Sequence, residues 1–134
     1  MMTLTSSWST LHSKVDAMMP TGNTNVTIGL QMAWQTLSNH APFTAPAPAP
    51  DLEKVIILMT DGANDDPGSL SLDRLVRDLR NARSPKRPAR IIGIGISDDA
   101  DYPALKRIAE ATGGQAYSAD TPEDILGVFA KAIA

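Results

Sequence analysis

The chain has no cysteine, which excludes disulfide frameworks, thiolate zinc sites and cysteine nucleophiles. Aromatic residues make up only 4% of it, and its two histidines, His12 and His40, have no nucleophile or acid fixed beside them by the sequence. No apolar run approaches the ~18 residues of a membrane span. Residues 1–10 also lack the charged-then-apolar pattern of a signal peptide. The sequence therefore reads as a soluble chain with no targeting signal and no direct membrane insertion. Excess positive charge is missing too: the net charge is -3, so no global cationic field attracts nucleic acid or anionic lipid. What is present is enough for one domain over residues 1–134, with 43% hydrophobic residues to build a core.

Apolar residues at Trp8, Leu11, Val15 and Met18 mark one face of a first helix, with Ser6 or Ser7 as its cap. The turn-forming residues 20–25 interrupt that rhythm before Leu30, Ala33, Trp34 and Leu37 resume it in a second helix. Residues 41–50 are mostly alanine and proline around Phe43 and Thr44, a stiff surface loop. The β-branched run 54–60 predicts a strand buried on both faces of a parallel sheet. A third helix follows on Leu72, Leu75, Val76 and Leu79, closed by Ser84, Pro85 and Pro88. Residues 90–97 form a second buried strand. A fourth helix starts at Pro103 and stops at Gly113-Gly114. Residues 115–118 make a short third strand. Thr121-Pro122-Glu123-Asp124 then caps a last helix, with Ile125, Val128, Phe129 and Ile133 turned inward.

Strands separated by helices run parallel through right-handed crossovers, so the fold class is α/β, a three-layer, Rossmann-like, doubly wound parallel sheet. Three strands and about five helices are few for such a sheet, and the 54–60 run is too apolar to lie bare at an edge. In open parallel sheets ligands bind beyond the carboxyl ends of the strands. Asp61, Asp65 and Asp66 follow the first strand, Asp98, Asp99 and Asp101 the second, and Asp120 the third. Aspartate is common in such loops because it forms turns and caps. Asp61 differs: a carboxylate directly after a buried strand and before Gly62 is held as a cation ligand needs to be.

The segments Pro20-Thr21-Gly22-Asn23-Thr24-Asn25 with Ile28-Gly29-Leu30, and Val55 to Thr60 with Asp61-Gly62, resemble the second and third signature segments of the von Willebrand factor type A domain. Residues 1–65 look most like Tad-type pilus assembly proteins of bacteria, and residues 66–134 like bacterial type A domains fused to substrate-binding modules. The resemblance implies a metal-ion-dependent adhesion site in which Mg²⁺ or Mn²⁺ is bridged by a partner's carboxylate. In it Thr24 supplies a hydroxyl oxygen to the cation, and Asp61 holds a metal-bound water. Asn25 caps the second helix or braces the loop, and Gly22 and Gly62 allow close backbone approach. The resemblance further implies a place in the bacterial cell envelope or outside it. The first family signature, Asp-x-Ser-x-Ser, is absent: the first aspartate is Asp16, followed by Ala17-Met18-Met19.

By the same resemblance the chain starts after the family's third strand and keeps only the second half of the sheet, a partial domain. A fragment, a late start at Met1 or Met2, and a half-domain that pairs with another chain all satisfy that reading. In the last, two copies form a homodimer through the bare strand. Other signals have ordinary explanations. Gly93 and Gly95 occupy two positions of a dinucleotide fingerprint, but Asp98 takes the third, and helix packing accounts for both glycines. Seven of the twelve cations lie between Arg74 and Arg90, as on a solvated helix face. The expectation is therefore a non-enzymatic protein-interaction module with a remnant cation site. A metal-independent scaffold competes with it, and so, less strongly, does a cation-dependent hydrolase, for which a second catalytic carboxylate, base or nucleophile is missing.

Overall fold

The computed structural model describes residues 5–19, 21–38, 42–43, 45–47, 49, 51–65, 68, 70–82 and 89–133. Three strands, β1 (Val55–Thr60), β2 (Arg90–Ile96) and β3 (Ala116–Ala119), form one sheet in that spatial order. Both pairings are parallel, with Val55 opposite Arg90 and Gly93 opposite Ala116. The helices are α1 (Trp8–Asp16), α2 (Val26–Thr36), α3 (Leu72–Ala82), α4 (Tyr102–Ala111) and α5 (Ile125–Ile133), the last entered through a 3-10 turn at Pro122–Asp124. This is the element order expected from the sequence.

The core has two parts because side chains along a strand alternate between faces. On one face Leu30 of α2, Leu75 and Leu79 of α3, and Ile108 of α4 close over Ile56 and Ile91. On the other, Val128, Phe129 and Ala132 of α5 cover Ile92, Ile94 and Ala119. The sheet is thus the middle of three layers. The glycines of β2 serve packing: a Cβ on Gly93 would stand 3.2 Å from Leu105 Cβ, and one on Gly95 would stand 3.1 Å from Ala100 Cβ. They let α4 sit close on the sheet, which is the packing reading of that pair.

Local signals form as their chemistry requires. The Ser7 hydroxyl accepts from the Thr10 amide and caps α1. Asp101 caps α4, accepting from the Ala104 amide at 3.0 Å. Asp124 accepts from both the amide and the hydroxyl of Thr121, the acid's half of a capping box, while the Asp124 amide donates to the Thr121 carbonyl. Helix α4 ends with Gly113 at φ +81°, and the Gly114 amide reaches back to the Ala109 carbonyl at 2.9 Å. Ser84, Pro85 and Pro88, expected to stop α3, lie outside the described residues, as do Met1, Met2, His40, Asp66 and part of the 41–50 loop.

One expectation needs correction. The 54–60 run forms a strand from Val55, but β1 is an edge strand and is not buried on both faces. Ile56 is 6% exposed, whereas Val55 and Met59, which point to the opposite face, are 36% and 42% exposed. The reason is that α5 packs on β3 and β2. Beyond β1 no further strand lies among the described residues.

Candidate functional site

The carboxyl end of β1 and the loop before α2 are held together by three side chains. The Thr24 amide donates to Asp65 Oδ1 at 3.0 Å, and the Val26 amide donates to Asn64 Oδ1 at 2.7 Å. Asn25 caps α2: its Oδ1 accepts from the Ile28 amide at 2.9 Å and from the Thr27 hydroxyl at 2.8 Å. The buried Thr27 hydroxyl in turn accepts from the Leu70 amide at 3.2 Å, so the loop after β1 is tied to α2 at both of its ends. These bonds join residues about forty positions apart, which fixes the loop in space without a regular element.

Thr24 and Asp61-Gly62 are brought together by this clamp. A Cβ added at Gly62 would lie 3.5 Å from Thr24 Oγ1, so the threonine hydroxyl faces the turn that carries Asp61. That is ordinary van der Waals contact, so crowding does not demand glycine at 62. Gly22 is required for another reason: its φ of +79° is left-handed, with open space around it. The Asp61-Gly62 turn is braced from below by Thr60, whose hydroxyl accepts from the Gly62 amide at 3.3 Å and donates to the Gly62 carbonyl at 3.1 Å. The Asp61 carboxylate is exposed and makes no hydrogen bond or ion pair among the described residues, nor does the Thr24 hydroxyl.

The other rim acids divide by role. Asp65 and Asp101 are occupied with backbone amides, and Asp120 accepts from the Ser118 hydroxyl at 3.2 Å. Asp98 and Asp99 are exposed, beyond Ser97, whose φ of 67° turns the chain out of β2. Among the described residues no three acids or histidines converge on one point. A cation beside Thr24 would thus have one hydroxyl from this chain, with Asp61 holding one of its waters, leaving the rest of its shell to water and a partner. That set suits Mg²⁺, which retains several waters and takes few protein ligands.

Sequence reasoning missed Asn64 and Asp65 as the clamps of the Thr24 loop. The available signal was the pair of short polar side chains directly after the strand-end turn. Beside the clamp lies a cavity of about 300 Å³, with Leu75, Leu105 and Ile108 at its floor and Thr60, Asn64 and Asp101 among its polar lining. Farther away, the basic stretch is partly neutralised: Arg74 and Arg77 approach Asp78 at 3.9 and 3.8 Å, and Arg107 on α4 binds Asp73 on α3. Hydrogen bonding to Arg107, and then its charge, holds the Asp73 carboxyl below the usual carboxylate range. Arg83, Lys86 and Arg87 lie outside the described residues.

Among solved structures, an uncharacterized membrane spanning protein from Vibrio fischeri shares 21% identity with a TM-score of 0.47, over 92% of this chain and 63% of that one. The chain therefore spans just under two thirds of that structure's length. No curated protein matches it. A family model for the von Willebrand factor type A domain matches residues 2–131, a stretch that takes in the Thr24 loop, the Asp61-Gly62 turn and all three strands. The chain belongs to the von Willebrand factor type A domain family.

Proposed function

We propose that this type A domain is a non-enzymatic adhesion or assembly module that binds a protein partner through a remnant cation site. Type A domains mediate protein–protein interactions, and the finer reading concerns how this one would do so. Thr24 would give its hydroxyl to Mg²⁺ or Mn²⁺, Asp61 would hold a water on the cation, and a partner's carboxylate would complete the shell. The observation that carries this reading is the clamped approach of Thr24 Oγ1 to the Asp61-Gly62 turn, with neither oxygen group paired among the described residues. Only part of the shell comes from this chain, so affinity for the cation alone is expected to be weak, strengthening when a carboxylate is added. By resemblance to Tad-type assembly proteins, the partner belongs to the bacterial cell envelope.

Calorimetric titration of Mg²⁺ and Mn²⁺ into the wild-type chain and into Asp61→Ala tests the site. Saturable heat that the substitution abolishes supports it, and equal heats in both chains overturn it. A second reading has its own observation, the open edge of β1: a metal-independent scaffold that makes its contacts through that strand, a second copy included. None of the described helices is long and apolar enough to cross a bilayer.

A further inference from the structure

Strand β3 is the last in the order β1-β2-β3, and register shows how its outer edge is finished. The Gly93 amide donates to the Gln115 carbonyl and the Ser97 amide to the Ala119 carbonyl, both at 2.9 Å. Backbone groups alternate in direction along a strand, so Gln115, Tyr117 and Ala119 turn theirs toward β2, whereas Ala116 and Ser118 turn theirs away from it. The strand is short, but its sequence Ala-Tyr-Ser-Ala carries no charge and no proline. Its pairing with β2 also runs unbroken from Ala116 to Ala119, without a bulge. Three devices that keep an outer strand from adding another are therefore missing from β3 itself.

A side chain from the neighbouring helix stands there instead. Tyr102, in the first turn of α4, donates its hydroxyl to the Ala116 carbonyl at 3.0 Å. Its ring passes over β2 on the way, with Cδ2 3.9 Å from the place a Cβ on Gly95 would take. The Ala116 carbonyl matters because strand addition in either direction uses it. A parallel newcomer would donate to that carbonyl and accept from the Ser118 amide, and an antiparallel one would exchange bonds with Ala116 and with Ser118. The phenol oxygen holds the place of the newcomer's donor, so either strand must displace it. Past Ser118, the Asp120 carboxylate accepts from the Ser118 hydroxyl at 3.2 Å and sets a negative charge beside the remaining outward groups. Tyr102 itself is 38% exposed, so this contact can be lost without unpacking the core.

We infer that Tyr102 is a latch that closes the outer edge of β3 against the addition of another strand. The closure uses only α4 and β3 and is independent of the cation site and of β1. Tyr102→Phe removes the phenol oxygen alone. Y102F/S118P also removes the outward Ser118 amide, at a position where an outer strand tolerates proline. Association of wild type and both variants is measured by sedimentation velocity from micromolar to millimolar concentration, with circular dichroism to check folding and amide NMR to locate the contact. One neutral hydrogen bond that pairing no longer has to displace corresponds to roughly a fivefold change in association constant. Y102F is therefore expected to associate more tightly than wild type by that factor, with concentration-dependent shifts at Ala116 and Ser118 that wild type lacks. Y102F/S118P is expected to return to wild-type association. Equal association of wild type and Y102F overturns the latch, and so does extra association in Y102F that leaves the Ala116 and Ser118 signals unmoved or persists in Y102F/S118P. The shifts in Y102F decide the location on their own if the proline disturbs β3.

Discussion

At the scale of single residues, the candidate site depends on side chains that hold the Thr24 loop more than on the two that would meet a cation. Asp65→Ala leaves the Thr24 amide without its acceptor. Loss of one such bond at a partly exposed position costs about 0.5–1.5 kcal/mol. The measurable result is a lower denaturation midpoint, with faster hydrogen exchange at Thr24 than in wild type. Gly62→Ala, by contrast, meets Thr24 Oγ1 at an ordinary 3.5 Å and is expected to leave stability within about 0.5 kcal/mol. A separate residue-scale prediction concerns Asp73. Its folded pKa is depressed by Arg107, so whatever this pair contributes is present above the unfolded pKa and is lost as pH falls through the folded one. Carboxyl NMR titration of Arg107→Ala should show the Asp73 pKa moving up toward the ordinary range. Asn25 and Asp61 were legible in the sequence because a cap and a strand-end acid are local patterns. The clamps were not, because the bonds of Asn64 and Asp65 reach across 38 and 41 positions.

At the scale of elements, what was readable was what each segment does with itself. Periodicity, caps and glycine stops placed all five helices and three strands in order. What periodicity cannot report is the surface an element faces. The stripe Trp8, Leu11, Val15 and Met18 is amphipathic as read, yet α1 buries none of its nine residues. A nine-residue helix without packing is marginal in water, since nucleation outweighs its few internal bonds. Its amides are therefore expected to exchange far faster than those of α4, whose Leu105, Ile108 and Ala109 are buried. The join between α4 and β3 behaves oppositely. A Cβ on Gly114 would fall 1.8 Å from the Ile91 carbonyl oxygen, so Gly114→Ala must displace backbone and is expected to cost ~2 kcal/mol or more in chemical denaturation. The same logic separates β1 from β2: both are apolar runs, and only the tertiary arrangement makes one of them an edge.

At the scale of the whole molecule, two surfaces are proposed to meet a partner, the carboxyl-end rim and the flank of β1. They make different demands. In the cation reading the rim would be sensitive to chelation, whereas in the scaffold reading the flank would act through backbone pairing and apolar contact and be sensitive to edge charge. The family's interaction role is compatible with either, and the chemistry of Thr24 and Asp61 favours the rim as the site of specific recognition. The most direct measurement is line broadening of amide NMR signals by substoichiometric Mn²⁺, which reports where a paramagnetic cation sits. The account predicts that Thr24, Asp61 and Gly62 broaden first, that Mg²⁺ competes the effect away, and that Asp61→Ala abolishes it. Broadening centred on the exposed Asp98 and Asp99, or none at millimolar Mg²⁺-competable concentrations, would contradict it.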